Sequence, residues 1–321
     1  MNTRSITEDL HAADAAEAVV RSPRTGLRAH GPAAPALRTP GEIESIRAAG
    51  DVVRTALEAA AAACVPGAPT RDLEEAARSA IEDGGAEALF LHYPDYVRGQ
   101  GFPAVCCVSV NDAIIHGLPG RQRLEDGDLV SIDCGARLDG WCADAAITVS
   151  AGEMKPTHRA LVRATRENLE RAIQLIRPGV RWSAIAMEME ERAARSGFGV
   201  VDDYVGHGIG RQLHESPSAP SVMTRSLGSR GDFTLRPGMV LAIEPMLVMP
   251  ESSESTPTLG ETRAHRVETR RDPDNWTVRT RSGAVSCHVE HTIAVTRSGS
   301  DVLTTGRGSS EALRQNEEVN G

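Results

Sequence analysis

The sequence predicts an α/β protein of the α+β kind, built from two similar halves, and three observations carry that prediction. A helix, a Pro-Gly stop and a second helix occur twice, with the stops at Pro66-Gly67 and Pro178-Gly179. Each helix pair is followed by β-rich sequence, Val105–Val149 after the first and Val200–Val295 after the second, which reads as an internal duplication. The composition, 40% hydrophobic and 25% charged over 321 residues, is that of a chain able to bury a core. Two such halves would place a site in the groove between them.

Residues 1–38 are rich in Ala, Arg, Pro and Gly, with little apolar periodicity beyond a short helical run at Glu8–Val20. They read as a disordered extension, and the minimal PxxP match Pro32-Ala33-Ala34-Pro35 reads as linker. Order is expected from Thr39-Pro40-Gly41-Glu42, which has capping-box spacing with Pro at the first helical position. That helix carries Ile43, Ile46, Val53 and Leu57 and runs to Cys64. Thr70 is expected to cap the next helix, Arg71 to Asp83, which Gly84-Gly85 ends. The second pair spans Pro156–Ile176 and Trp182–Ser196. The ordered domain is thus 39–304. Pro250–Asp274, polar and then Arg-rich, is expected to be a surface insertion, and 305–321 a disordered tail.

The bulk properties exclude several classes. No stretch approaches the roughly 18–20 apolar residues of a membrane span, and Met1–Leu10 has no apolar core for a signal peptide. A net charge of −9 with no strongly basic block disfavours nucleic acid as the main partner. Six cysteines without a CxxC pair fit reduced thiols, hence a cytoplasmic protein.

Carboxylates occupy positions that a plain core strand would not give them. Leu129-Val130-Ser131-Ile132-Asp133 and Val240-Leu241-Ala242-Ile243-Glu244 are apolar runs ending on an acid, and Glu290 sits among β-formers. Acids in such surroundings are normally paired, neutralised or metal-bound. Asp139-Gly140 is a favoured two-residue hairpin turn. If it forms, Asp133 faces Ala146, and Asp144, two residues away, shares its face. The two carboxylates are then diagonal neighbours about 7 Å apart at Cα. His207 stands among Gly206, Gly208 and Gly210, where backbones can approach closely. One imidazole and four carboxylates suit Mn, Fe(II), Co or Zn without a thiolate.

These segments also occur in a known order. Cys107-Val108-Ser109-Val110-Asn111-Asp112 leads to His116-Gly117, then Ser131-Ile132-Asp133 and Gly140-Trp141-Cys142-Ala143-Asp144. Gly206-His207-Gly208-Ile209-Gly210, Ile243-Glu244-Pro245-Met246 and Glu290-His291-Thr292 follow. The ordered set, over about residues 39 to 304, resembles type I methionine aminopeptidases.

The resemblance implies the duplicated pita-bread fold around a dinuclear metal site. It implies an enzyme that removes the N-terminal methionine of newly made proteins when the second residue is small. By motif position, Asp133 would chelate one of two divalent ions (Co, Mn, Fe(II) or Zn), Asp144 and Glu290 would bridge both, and His207 and Glu244 would complete the other site. A hydroxide between the metals would attack the first peptide bond, with Glu244 also transferring protons. His116 and His214 match the two non-ligand histidines that contact the scissile amide. Phe102, Cys107 and Trp276 match the Met pocket. Leu213 stands where an aromatic is common, and the loop from His92 to Gly101 is longer than usual. Both departures bear on the strictness of the Met preference and leave the metal chemistry untouched.

The implied partners are N-termini of nascent polypeptides, with ribosome association left open, on a monomer with no membrane and no nucleic-acid substrate. Two other readings use the same fold. An Xaa-Pro aminopeptidase usually carries an additional N-terminal domain, which a low-complexity extension of 38 residues does not form. A non-catalytic binding module would have lost ligands, whereas all five positions are present. The insertion before Trp276 would serve as a lid or partner surface in a specialised copy.

Overall fold

The structure, a computed structural model, describes residues 35–94, 101–250 and 263–306. Helix α1 (Pro40–Ala63) begins with the expected capping box: Glu42 N–H donates to the Thr39 hydroxyl, and the Glu42 carboxylate accepts from the Thr39 N–H at 2.8 Å. Helix α2 (Thr70–Asp83) buries Leu73, Ala77 and Ile81, one stripe at helical spacing. The strands that follow are β1 (Glu87–Ala88), β2 (Cys106–Val110), β3 (Ala113–Ile115), β4 (Asp128–Leu138) and β5 (Trp141–Ala151).

In the second half α3 (Pro156–Leu175) precedes α4 (Trp182–Ser196), which ends on left-handed Gly197. Five strands follow: β6 (Gly199–Val200), β7 (Gly206–Gly208), β8 (Glu215–Ala219), β9 (Val240–Ile243) and β10 (Met246–Val248). The last five are β11 (Thr269–Arg271), β12 (Val278–Thr280), β13 (Ser286–His288), β14 (His291–Val295) and β15 (Ser300–Val302).

Each helix pair packs on its own apolar core. The first joins α1 and α2 to β2, β4 and β5 through residues such as Ile46, Val53, Leu73 and Ile132. The second joins α3 and α4 to β9, β10 and β14 through Leu161, Trp182, Met189, Leu241 and Ile293. Both pairs of helices therefore cover antiparallel sheets. One sheet has β1 and β2 along one edge of β4 and β5 along the other; the largest runs β15-β14-β9-β7-β8. Two three-stranded sheets, β13-β10-β6 and β11-β12-β3, complete the fold.

The β4–β5 hairpin has the expected register. Leu138 pairs with Trp141 and Asp133 with Ala146, around Asp139 (φ 50°) and Gly140 (φ 76°). Both turn residues are left-handed, as a type I′ turn requires.

Three expectations are corrected. Thr70 is the first helical residue rather than a cap, since its hydroxyl accepts the Gly120 N–H at 2.8 Å and ties α2 to a distant loop. Order starts before Thr39: Arg38 donates its N–H to the Gly238 carbonyl at 2.7 Å, pairs with Glu215 and lies 5.4 Å over the Trp141 ring. Only its last four residues belong to the described chain; 1–34 lie outside it.

The third correction concerns Pro250–Asp274. Residues 251–262 lie outside the described residues, but 269–271 form β11, which pairs with β12 as the edge of a sheet. Its arginines are accommodated because an edge strand tolerates charge on its open side. Arg270 pairs with Asp272, and Arg279 donates to both Asp272 and Asp112 at 2.6 Å. Of the tail, 307–321 lie outside the described residues. All six cysteines are free and buried, and no helix among the described residues is long and apolar enough to cross a membrane.

Candidate metal centre

The seam between the halves brings the acids together. Glu290 lies between β13 and β14 and bridges Ala146 of β5, its N–H donating to the Ala146 carbonyl at 2.9 Å. Beside it the Thr292 hydroxyl accepts the Asp144 N–H at 3.0 Å and lies 2.8 Å from the Asp144 carbonyl. Asp133 and Asp144, on one face of the hairpin, are both buried, and their carboxyls influence one another's ionisation. Glu244 follows β9 directly, and β9 pairs with both β14 and β7.

His207 is carried by β7, where its two glycines are required. A Cβ on Gly206 would stand 2.5 Å from the Ala242 carbonyl oxygen, and one on Gly208 2.5 Å from that of Ser216. His207 Nδ1 lies 3.0 Å from the Gly208 carbonyl, which makes it the donor and leaves the Nε2 lone pair for the acids. Nε2 is 3.8 Å from Glu244 Oε1.

Burial dominates the electrostatics. It raises Asp144 to about 7 and Glu244 to about 8, and lifts Asp133 and Glu290 well above the usual carboxylate range, helped by the neighbouring acids. Burial also lowers His207 and His116 to about 4, His288 to about 3, and His214 well below its ordinary value. The histidines are thus neutral at pH 7. Asp133 Oδ1, Asp144 Oδ1 and Glu290 Oε1 are buried without a hydrogen-bond partner. Acceptors crowded together with no donors fit cations, and the oxygen-plus-imidazole donor set fits a divalent one.

Two sets of donor atoms lie within 4.8 Å of one another: Asp144, His207 and Glu290, and Glu244, His288 and Glu290. Glu290 is common to both. Glu244 stands within reach of both imidazoles, 3.8 Å from His207 Nε2 and 3.6 Å from His288 Nε2. The sequence reasoning did not single out His288. The signal was there, since His288 is two residues before Glu290 and so faces the same way along an extended chain.

The two other histidines flank this cluster. The His214 ring lies 4.2 Å from that of His207, and its Nδ1 is 2.6 Å from the Tyr93 hydroxyl. His116 has a left-handed backbone (φ 56°), sits edge-on to Tyr204 at 5.7 Å, and disfavours charge on both His214 and His288. Tyr93 and Tyr204 are further residues missed by the sequence reasoning. Tyr93 was read only as part of a long loop.

The residues expected to line a Met pocket share one apolar cluster. Phe102, Cys107 and Leu213 are buried in it, and Trp276 packs against it, its ring edge-to-face with Phe102 at 5.2 Å. Phe90 adds a second edge contact to Phe102 at 6.4 Å. Cys107 pairs across the sheet with Asp133, which sets this apolar wall beside the acids.

Known proteins resemble this chain over most of its length. Methionine aminopeptidase of Aquifex aeolicus is 40% identical over 264 residues, 82% of this chain and 96% of that protein. Methionine aminopeptidase 1 of Mycobacterium tuberculosis is 43% identical over 276 residues, 84% and 94% of the respective chains. The crystal structure of methionine aminopeptidase from Thermotoga maritima superposes with a TM-score of 0.73 at 37% identity, covering 85% of this chain and all of that one. Residues 44–297, nearly the whole described domain, match metallopeptidase family M24, to which the chain therefore belongs.

Proposed function

We propose that this chain is a metal-dependent aminopeptidase that removes the N-terminal methionine from newly made proteins whose second residue is small. The observation that carries the reading is the buried cluster of Asp133, Asp144, His207, Glu244 and Glu290, with unpartnered oxygens, beside an apolar wall. The substrate class comes from the named relatives, 40% and 43% identical over most of their length. Two divalent ions are assigned to the cluster, drawn from Co, Mn, Fe(II) and Zn. When bound, they supply Lewis acidity and bring water's pKa toward neutrality.

The chain's own groups do the rest. Phe102, Cys107, Leu213 and Trp276 receive the methionine side chain, an apolar thioether that a soft, aromatic-edged wall suits. Glu244 takes a proton from the attacking water and returns it to the leaving amine. His116 and His214 are neutral, so they bind the scissile amide as hydrogen-bonding partners and not as fixed cations. The Tyr93 hydroxyl, donating to His214 Nδ1, holds the ring proton on Nε2, where it can be offered to the carbonyl oxygen. We assign the activity to a cytoplasmic monomer acting on nascent chains, in keeping with its free thiols.

The test strips the protein with a chelator, restores Mn, Fe(II), Co or Zn in turn, and offers Met-Ala-Ser, Met-Lys-Ser, Leu-Ala-Ser and Ala-Pro-Ser. Metal-dependent release of Met from Met-Ala-Ser alone is expected. Equal cleavage of Leu-Ala-Ser would overturn the specificity, and no cleavage by the folded, reloaded protein would overturn the activity.

A further inference from the structure

His288 enters the acidic cluster as a second imidazole, and the backbone aims it there. It closes β13 and pairs with Met246 of β10. Alternation along an extended chain turns His288 and Glu290 to one side and Val289 to the other, where Val289 packs into the core beneath α3 and α4. Glu244, two residues before Met246, projects from the paired segment toward the same place. His288 Nε2 consequently lies 3.6 Å from Glu244 Oε2 and 3.9 Å from Glu290 Oε2.

The residue is held firmly by its main chain. Its N–H is 3.2 Å from the hydroxyls of both Ser131 and Thr148, and its carbonyl accepts from the Thr148 hydroxyl at 2.6 Å. The side chain is 2% exposed, yet neither Nδ1 nor Nε2 has a hydrogen-bond partner. A buried polar atom left without a partner costs about 1–3 kcal/mol, so an unserved ring pinned in place calls for a ligand.

Two roles are open to Nε2 beside carboxylates, and distance separates them. A direct N–H to carboxylate hydrogen bond spans about 2.7–3.2 Å, shorter than either observed separation. Two donors bound at about 2.0–2.2 Å to one cation stand roughly 3.0–3.6 Å apart at ordinary angles, close to both. We propose that His288 is itself a metal ligand. His288 would then join Glu244 and Glu290 on one divalent ion, as a second imidazole beside His207 in the cluster. This rests on reading the cluster as a metal centre. It turns one imidazole and four carboxylates into a site with two imidazoles, which favours Zn, Fe(II) and Co over Mn.

The experiment loads the chelator-stripped full chain with two equivalents of Co(II). Coordinated imidazoles then give paramagnetically shifted, solvent-exchangeable ring N–H signals in the proton NMR spectrum. Two such signals are expected in the parent, from His207 and His288, and one in His288→Gln. Calorimetric titration should show one of the two Co(II) ions weakened about tenfold or more in His288→Gln. Two bound Co(II) with a single imidazole signal in the parent would overturn the proposal, as would two signals persisting in His288→Gln. Should His288→Gln not fold, the signal count in the parent decides alone. A folded parent that binds no Co(II) would overturn the metal centre itself, an outcome distinct from either of these.

Discussion

Replacing Glu244 by Gln should stabilise the metal-free protein, and the gain should grow with pH. In the folded, metal-free chain burial holds the Glu244 proton up to about pH 8, whereas the unfolded chain releases it near its ordinary value of 4.5. The folded state therefore binds the extra proton, and stability falls as pH rises from the lower value through the higher one. At pH 8 the difference corresponds to about 4 kcal/mol, and at pH 5 to under about 1 kcal/mol, at roughly 1.4 kcal/mol per pKa unit. Gln fills the same volume and never ionises, so Glu244→Gln escapes that cost. In a domain of this size about 4 kcal/mol shifts Tm by roughly 8–16 °C. With divalent metal present the order should invert, because Gln is a poor ligand and the parent gains the binding free energy. The assay is a pair of thermal melts for each protein, in chelator at pH 5 and pH 8, repeated with saturating metal. A Glu244→Gln variant less stable than the parent in chelator at pH 8, or equally stabilised at both pH values, would refute the reasoning.

Further outcomes follow from single contacts. Tyr93→Phe removes the hydroxyl 2.6 Å from His214 Nδ1 while keeping the ring. Turnover should fall about 2- to 10-fold, in line with one hydrogen bond, with metal content and Tm unchanged by elemental analysis and melting. Gly140→Val forces a β-branched residue into φ 76° at the hairpin tip and should cost about 1–2 kcal/mol in chemical denaturation. Register should survive, since the apolar faces of β4 and β5 also specify it, so metal binding should persist in the variant.

What was legible in the sequence was mostly local. The Asp139-Gly140 turn determined which residues oppose one another, and from that alone Asp133 and Asp144 came out on one face. Thr39 and Glu42 marked the first helix because both halves of a capping box are three residues apart. Glu244 and Glu290 stood out because an acid inside β-forming sequence is costly unless something offsets it. The misses have a common cause in tertiary contact. Thr70 had the chemistry of a cap, but the Gly120 N–H, fifty residues away, competes for its hydroxyl. Arg38 looked like the end of a polar tail because nothing local announces Glu215 or Trp141. β11 looked like loop because an edge strand needs no apolar face.

The division of ligands between the halves gives the centre a further property. Of the proposed ligands, Asp133 and Asp144 come from the first half, and His207, Glu244, His288 and Glu290 from the second. At this point the seam is formed by the Ala146–Glu290 bridge and the Thr292 contacts to Asp144. Four carboxyls converge on that seam, each raised in pKa by burial. Ionised and without counter-charge, they would push the halves apart at this seam. A divalent cation reverses the sign of that force, because Asp144 and Glu290 reach the same donor set from opposite halves. The ions that supply the chemistry are, on this argument, also the clasp between the duplicated units, and metal binding free energy becomes folding free energy for the pair.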